Sequence, residues 1–213
     1  QGIMASCRQH GTALLGGDTT QGPTTTINIA LLGSVLPVHL CLRSQARPGD
    51  RLMVTGCLGG SAAGLALLIS GRKPSDYLLK KHLEPRCRMD VAGLIAPLAN
   101  AMIDISDGLG AEVHHICTQS KVGAEIDAKK VPLQDEVIQA GRMIGVDPMQ
   151  WALGGGEDFE LLFSISPQNL PTLLQSGVDC YEIGRVTNQA GRALLIDADG
   201  RARPLTGGYN HFG

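Results

Sequence analysis

Ala101-Met-Ile-Asp-Ile-Ser-Asp-Gly-Leu109 joins an apolar, strand-like run to a segment with helical periodicity. Residues 101–105 predict a strand. The helix that follows has one apolar face, formed by Leu109, Val113, Ile116 and Cys117. Two carboxylates, Asp104 and Asp107, stand at the junction on either side of the Ser106 hydroxyl. The stretch therefore predicts a strand, a polar turn and a helix in direct succession.

The same alternation of strand and helix patterns runs through most of the chain. Helices are predicted at residues 62–70, 76–82, 88–98, 134–144 and 170–175, and the end of another at 3–10. Strands are predicted at residues 12–15, 24–35, 51–55, 124–128, 159–165, 181–186 and 193–196. Ser61 is the predicted N-cap of the helix at 62–70. This order indicates an α/β or α+β fold.

The composition is that of a folded chain with an aliphatic core. The 213 residues are 43% hydrophobic, 18% charged and 3% aromatic. The net charge of −2 gives no basic footprint for nucleic acid, and no apolar run reaches the roughly 18 residues of a membrane span. The six cysteines form no Cys-x-x-Cys pair. We therefore expect reduced thiols in a cytoplasmic protein that binds neither nucleic acid nor membrane.

Two further segments place acids beside glycines at the edge of an apolar run. They are Leu15-Gly-Gly-Asp-Thr-Thr-Gln-Gly-Pro23 and Gly154-Gly-Gly-Glu-Asp-Phe-Glu-Leu-Leu162. Carboxylates on such turns suit Mg²⁺, which binds one or two of them together with substrate phosphates. A cation would also offset the desolvation of Asp104 and Asp18 at the ends of apolar strands. The pattern indicates phosphate chemistry, although aspartates that cap helices and glycines that form plain turns remain alternatives.

The segment Thr55-Gly-Cys-Leu-Gly-Gly-Ser61 allows two interpretations. Its glycines before a helix resemble an anion-binding turn. It lacks the Gly-Lys-Ser/Thr ending of a phosphate-binding loop and the spacing of a dinucleotide fingerprint. We therefore favour a simple strand-to-helix connection.

Six segments together resemble the thiamine-monophosphate kinases, a family of the aminoimidazole-ribonucleotide-synthetase-like superfamily. They are Gly16-Gly-Asp-Thr-Thr-Gln-Gly-Pro23, Arg43-Ser-Gln-Ala-Arg-Pro-Gly-Asp50, Thr55-Gly-Cys-Leu-Gly-Gly-Ser-Ala-Ala-Gly-Leu65, Ile103-Asp-Ile-Ser-Asp-Gly-Leu109, Gly155-Gly-Glu-Asp-Phe-Glu-Leu161 and Gly208-Tyr-Asn-His-Phe212. Single motifs are shared across the superfamily. The first, fifth and last together are specific to the kinases.

The resemblance implies an α+β fold. Residues 43–213 would form the C-terminal, α/β-layered domain, and residues 1–42 the last strands of an N-terminal ATP-binding domain. It also implies ATP-dependent phosphorylation of thiamine monophosphate to thiamine diphosphate, with Mg²⁺ as cofactor and no covalent catalytic residue. The family's roles fall on Gly17, Asp18, Arg43 and Ser106 for ATP, on Asp18, Asp104 and Asp107 for Mg²⁺, and on Glu157 and Tyr209 for the substrate.

The chain departs from the family pattern in two places. The family begins with a domain that carries an Asp-Asp metal motif and much of a dimer interface, of which only the closing strands correspond to this chain. Gln21 stands where the family often has arginine. We therefore expect a longer, homodimeric enzyme and no activity from this chain alone. The alternatives are a non-catalytic nucleotide-binding fragment, or a superfamily relative such as selenide water dikinase or hydrogenase maturation factor.

Overall fold

The structure, a computed structural model, describes residues 1–209 of the chain. The chain separates into two compact units, Gln1–Ser34 and Val35–Gly213. The predicted domain boundary at residue 43 stays a prediction.

The first unit contains one helix, α1 (Gly2–Gln9), where the end of a helix was predicted. The predicted strands at residues 12–15 and 24–35 are wrong, because both segments lack regular secondary structure. A strand forms only when a neighbouring strand accepts and donates its backbone hydrogen bonds. Within residues 1–209 no segment pairs with either stretch. Their apolar side chains are consequently exposed, Leu15 at 88% and Leu32 at 93%.

The second unit is built on one seven-stranded sheet. Its strands are β1 (Arg51–Val54), β2 (Ala99–Asp104), β3 (Gly123–Asp127), β4 (Leu161–Ile165), β5 (Tyr181–Thr187), β6 (Ala193–Ile196) and β7 (Ala202–Pro204). The strand order is β2-β4-β1-β5-β3-β6-β7, and every pair is antiparallel except β3 with β6. The mainly antiparallel sheet confirms the predicted α+β class.

Seven α-helices accompany this sheet in the described part of the chain. They are α2 (Gly60–Ile69), α3 (Asp76–Leu83), α4 (Met89–Ile95), α5 (Leu109–Ser120), α6 (Asp135–Ile144), α7 (Pro148–Gly154) and α8 (Leu170–Gln175). All but α7 were predicted, as were all strands of the sheet but β7. None of these helices combines the length and apolar character that crossing a bilayer requires.

The core follows the alternation of side chains along β1. Leu52 and Val54 face a large cluster that includes Val113 of α5. Met53, on the opposite face, packs in a second cluster with Ile95 of α4 and others. A third cluster joins α2, α3, α6 and α7. Clusters on both faces thereby fix strands β1, β2 and β4. The glycine-rich turns follow β1 and β2 and precede β4.

Candidate active site

Three sequence motifs meet at one end of the sheet. The turn after β2, the loop between α7 and β4, and the segment after β7 are joined by backbone hydrogen bonds. The Glu157 N–H donates to the Ser106 carbonyl oxygen at 2.7 Å, and the Tyr209 N–H donates to the Asp107 carbonyl oxygen at 2.8 Å. The structure therefore brings Ser106, Asp107, Glu157 and Tyr209 together from distant parts of the sequence.

Glycine is required where these motifs touch. Gly108 has φ +99°, and a Cβ there would lie 2.7 Å from the Leu153 carbonyl oxygen. Gly156 has φ +68°, and a Cβ there would overlap the Ser106 carbonyl oxygen. A side chain at either position would push the motifs apart. The glycines of the two motifs thus serve close backbone approach.

Glu112, in the first turn of α5, orients the Ser106–Asp107 turn. Its carboxylate accepts a hydrogen bond from the Asp107 N–H at 3.1 Å and one from the Ser106 Oγ at 3.3 Å. Glu112 is only 2% exposed. Sequence reasoning missed it because a glutamate early in a helix ordinarily faces solvent and favours the helix dipole.

Asp104 and Asp107 lie on this one turn, but their surroundings differ from our expectation. Asp104 ends β2 with an exposed side chain, and Asp107 is half-buried. The desolvation argument for a cation at Asp104 was therefore wrong. Among residues 1–209, no three His, Cys, Asp or Glu side chains are grouped closely enough to hold a metal ion. One exposed and one half-buried carboxylate still fit Mg²⁺, which keeps several waters and shares its shell with phosphates.

The remaining predicted nucleotide residues are Gly17 and Asp18 of the first unit and Arg43 of the second. Gly17 and Asp18 belong to the first unit, where both are exposed and Asp18 Oδ1 accepts from the Thr19 N–H at 2.8 Å. The Arg43 carbonyl oxygen accepts from the Ser120 Oγ at 3.0 Å, at the C-terminal end of α5. Ser106 precedes the other end of that helix, about 18 Å away at 1.5 Å per residue. The structure does not bring Arg43 to Ser106.

A buried carboxylate occupies the start of α2. Asp158 accepts hydrogen bonds from the Gly59 N–H at 2.7 Å and the Ser61 N–H at 3.4 Å. The N-cap residue is Gly59, so the prediction of Ser61 was wrong: the cap comes from a different segment. Burial raises the pKa of Asp158 to about 6, and the two N–H donors partly oppose this effect. The turn at residues 55–61 thus binds an anion, but an internal one.

Glu160 is a second buried carboxylate that sequence reasoning missed. Lys81 Nζ lies 2.8 Å and an Arg88 guanidinium nitrogen 2.6 Å from its oxygens. The Thr55 Oγ1 also donates to it, at 2.8 Å. These donors come from three different elements, so no spacing in the sequence could reveal the cluster.

Comparison with known proteins places this geometry in a family. Residues 47–197 match the AIR synthase related protein, C-terminal domain. Thiamine-monophosphate kinase of Escherichia coli (strain K12) is 39% identical over 212 residues, covering 93% of this chain and 63% of that protein. Thiamine-monophosphate kinase from Stenotrophomonas maltophilia K279a has a TM-score of 0.79 at 32% identity, covering 95% of this chain and 66% of that one. The chain belongs to the thiamine-monophosphate kinase family.

A second solved structure, AaThiL complexed with AMPPCP and TMP, has a TM-score of 0.70 at 37% identity and covers 80% of this chain and 53% of that one. The predicted family and fold are therefore confirmed. The chain spans slightly less than two thirds of the length of the E. coli kinase. The functions assigned to individual residues of this family member stay predictions.

Proposed function

We propose that the complete protein phosphorylates thiamine monophosphate to thiamine diphosphate with ATP, and that this chain carries the thiamine side of the site and part of the phosphate side. The hydrogen bond from the Tyr209 N–H to the Asp107 carbonyl oxygen, 2.8 Å long, carries the proposal. It joins a residue predicted to bind the substrate to one predicted to bind the metal.

The Glu157–Ser106 hydrogen bond likewise joins a residue predicted to bind the substrate to one predicted to bind ATP. Phosphoryl transfer depends mainly on holding donor and acceptor in line, because the transferred group needs little covalent help. Backbone hydrogen bonds that join the predicted substrate residues, Glu157 and Tyr209, directly to the turn at 106–107 fit this need. AaThiL has been solved with AMPPCP and TMP bound, which supports the same pair of ligands here.

On the phosphate side, Asp104 and Asp107 would hold Mg²⁺, with Asp18 as the third predicted ligand. The ion, when bound, neutralises charge on the two phosphates that must approach each other. Ser106 would lie against the ATP phosphates, with its hydroxyl donating its one proton to Glu112. Glu112 therefore keeps the turn in one orientation while the ligands exchange.

On the thiamine side, Glu157 and Tyr209 both have exposed side chains, Tyr209 at 61%. The Tyr209 ring would stack on a thiamine ring. The Glu157 carboxylate would accept a hydrogen bond from the pyrimidine amino group. A site that uses this bond rejects analogues without the amine, because the carboxylate then loses its partner.

The test is the formation of thiamine diphosphate from thiamine monophosphate and ATP, measured chromatographically with the complete gene product and with this chain. We expect product from the complete protein and none from the chain. Thiamine, which lacks the acceptor phosphate, is the substrate control and should not react.

Two outcomes would contradict the proposal. ATP hydrolysis without thiamine diphosphate would indicate another chemistry of the superfamily. Binding of ATP without any transfer by the complete protein would favour the non-catalytic alternative.

A further inference from the structure

Glu157 presents its side chain from a strained backbone. Its φ is +55°, and Phe159, two residues later, has φ +50°. Residues other than glycine adopt this left-handed region at an energetic cost. Such conformations persist only where the surrounding structure imposes them. The source of that constraint is therefore informative about the site.

Asp158, between the two strained residues, supplies the first constraint. It is 2% exposed, and its two oxygens accept the Gly59 and Ser61 N–H groups at the start of α2. The bond to Gly59, at 2.7 Å, has the length typical of a charge-assisted hydrogen bond. The residue next to Glu157 is thus attached to a helix.

Glu160, directly after Phe159, supplies the second constraint. It is 4% exposed and accepts from Lys81 on α3, from Arg88 at the start of α4 and from Thr55 after β1. A carboxylate with partners from three elements has little freedom to move. Each strained residue is therefore followed by a buried carboxylate with fixed partners.

Backbone hydrogen bonds transmit these constraints to the turn after β2. The Phe159 N–H donates to the Ile105 carbonyl oxygen at 2.9 Å, and the Ile105 N–H donates to the Glu160 carbonyl oxygen at 2.7 Å. The Glu157–Ser106 bond continues the series. The backbone of Glu160 is thus linked through residues 105 and 106 to that of Glu157.

We propose that Asp158 and Glu160 are positioning residues for the reaction, which hold the Glu157 backbone in the left-handed conformation that aims its carboxylate at the substrate. Both are buried, so neither touches the substrate itself. The proposal rests on the proposed function of Glu157. Its structural part can be tested without that function.

The structural test is amide hydrogen exchange of Glu157, Phe159 and Ile105 in this chain. Asp158→Asn keeps the shape but can accept only one of the two N–H groups, since its amide nitrogen is a donor. We expect exchange at Glu157 and Phe159 to become about tenfold faster, the result of opening that costs 1.4 kcal/mol less. Unchanged exchange would overturn the proposal.

The matched control is Asp50→Asn. Asp50 is also a buried carboxylate, 3% exposed, and accepts from Asn100 and Ser164. It lies just before Arg51, whose partner is Ile165, at the opposite end of β1 and β4 from the site. This variant should leave exchange at Glu157 and Phe159 unchanged. Equal acceleration by both variants would show general loosening and overturn the proposal.

The functional test is steady-state kinetics of the complete gene product. A misplaced Glu157 should raise the KM for thiamine monophosphate about tenfold in Asp158→Asn, with the KM for ATP nearly unchanged. Asp50→Asn should leave both KM values unchanged. Faster exchange with an unaltered KM would show that Asp158 does not position Glu157 for the substrate.

Thr55→Val is the milder second variant if Asp158→Asn does not fold. It removes the hydroxyl that donates to Glu160 at 2.8 Å and that accepts from the Leu161 N–H at 2.9 Å. The same faster exchange and the same selective rise in KM are expected. Wild-type protein that makes no thiamine diphosphate would refute the proposed function, whereas the exchange rates would still decide whether Asp158 and Glu160 hold the backbone.

Discussion

The Gly59 N–H donates a 2.7 Å hydrogen bond to the buried carboxylate of Asp158, nearly a hundred residues later in the chain. This bond links the glycine-rich turn after β1 to the acidic loop before β4. The positively polarised N-terminal end of α2 is therefore already neutralised by the Asp158 carboxylate, and no ligand phosphate is needed there. The proposed phosphate side of the site is instead the turn after β2.

The stability of the protein should depend on pH through Asp158. Burial raises its pKa from 3.8 to about 6, so the folded protein holds this proton more tightly than the unfolded chain. The resulting stabilisation is complete below the unfolded pKa and is lost as the pH rises to about 6. Wild type should lose about 3 kcal/mol relative to Asp158→Asn between about pH 4 and pH 7. Urea unfolding across this range measures the difference, and parallel profiles would contradict it.

Asp104→Asn should separate catalysis from stability. The side chain is exposed, so the free energy of unfolding should change by less than about 0.5 kcal/mol. Loss of a metal ligand should lower turnover of the complete protein by at least about 100-fold. Thermal melting and kinetics measure the two effects, with Asp199→Asn in an exposed turn as the control. Unchanged turnover would remove Asp104 from the metal site.

Tyr209→Ala should raise the KM for thiamine monophosphate about tenfold, because the stacking surface is lost. The KM for ATP should stay nearly the same. Tyr209→Phe keeps the ring and should behave like wild type. Steady-state kinetics with each substrate varied in turn decides the matter. A rise in the KM for ATP instead would assign Tyr209 to the nucleotide side.

The exposed apolar residues of the first unit should make this chain associate. Leu15 is 88% and Leu32 is 93% exposed, and large apolar surfaces promote self-association. Replacing both with serine should increase the monomer fraction in sedimentation velocity. Ile69→Ser, at a 78% exposed position on α2, is the matched control and should change little. A wild-type chain that stays monomeric at high concentration would contradict the prediction.

The complete protein should cover the same leucines and sediment as a homodimer. The double serine variant should then shift it toward the monomer or lower its melting temperature. The absence of either effect would place these residues outside any interface.

Local patterns predicted most elements of the second unit, because the apolar periodicity of a strand or helix depends only on residues close together in the sequence. The missed helix α7 shows the limit of such patterns. Asp147 caps it and Pro148 begins it, both ordinary signals for a helix start, but the glycines at its end suggested a loop. The strands at residues 12–15 and 24–35 failed for the opposite reason. Their alternation is clear, but pairing depends on a partner strand that the sequence pattern does not specify.

The motifs of the site were visible in the sequence, whereas its supports were not. Ser106, Asp107 and Glu157 stand in short acidic, glycine-rich segments that indicate phosphate chemistry. Glu112 and Glu160 matter because of partners that only the folded chain brings to them. Ser61 illustrates the same difficulty. A serine at the start of a helix is a good cap, but here the Asp158 carboxylate accepts the N–H groups instead.

The position of β1 also governs how the protein is made. Arg51 pairs with Ile165 on one side and with Arg185 on the other, so this strand leaves the ribosome long before either neighbour exists. Pairing across such separations is slow, and the waiting strand is vulnerable to aggregation. Synthesis that stops before residue 181 would leave the middle of the sheet open on one side. Until β5 has been made, the free edge of β1 can pair with a strand of another chain.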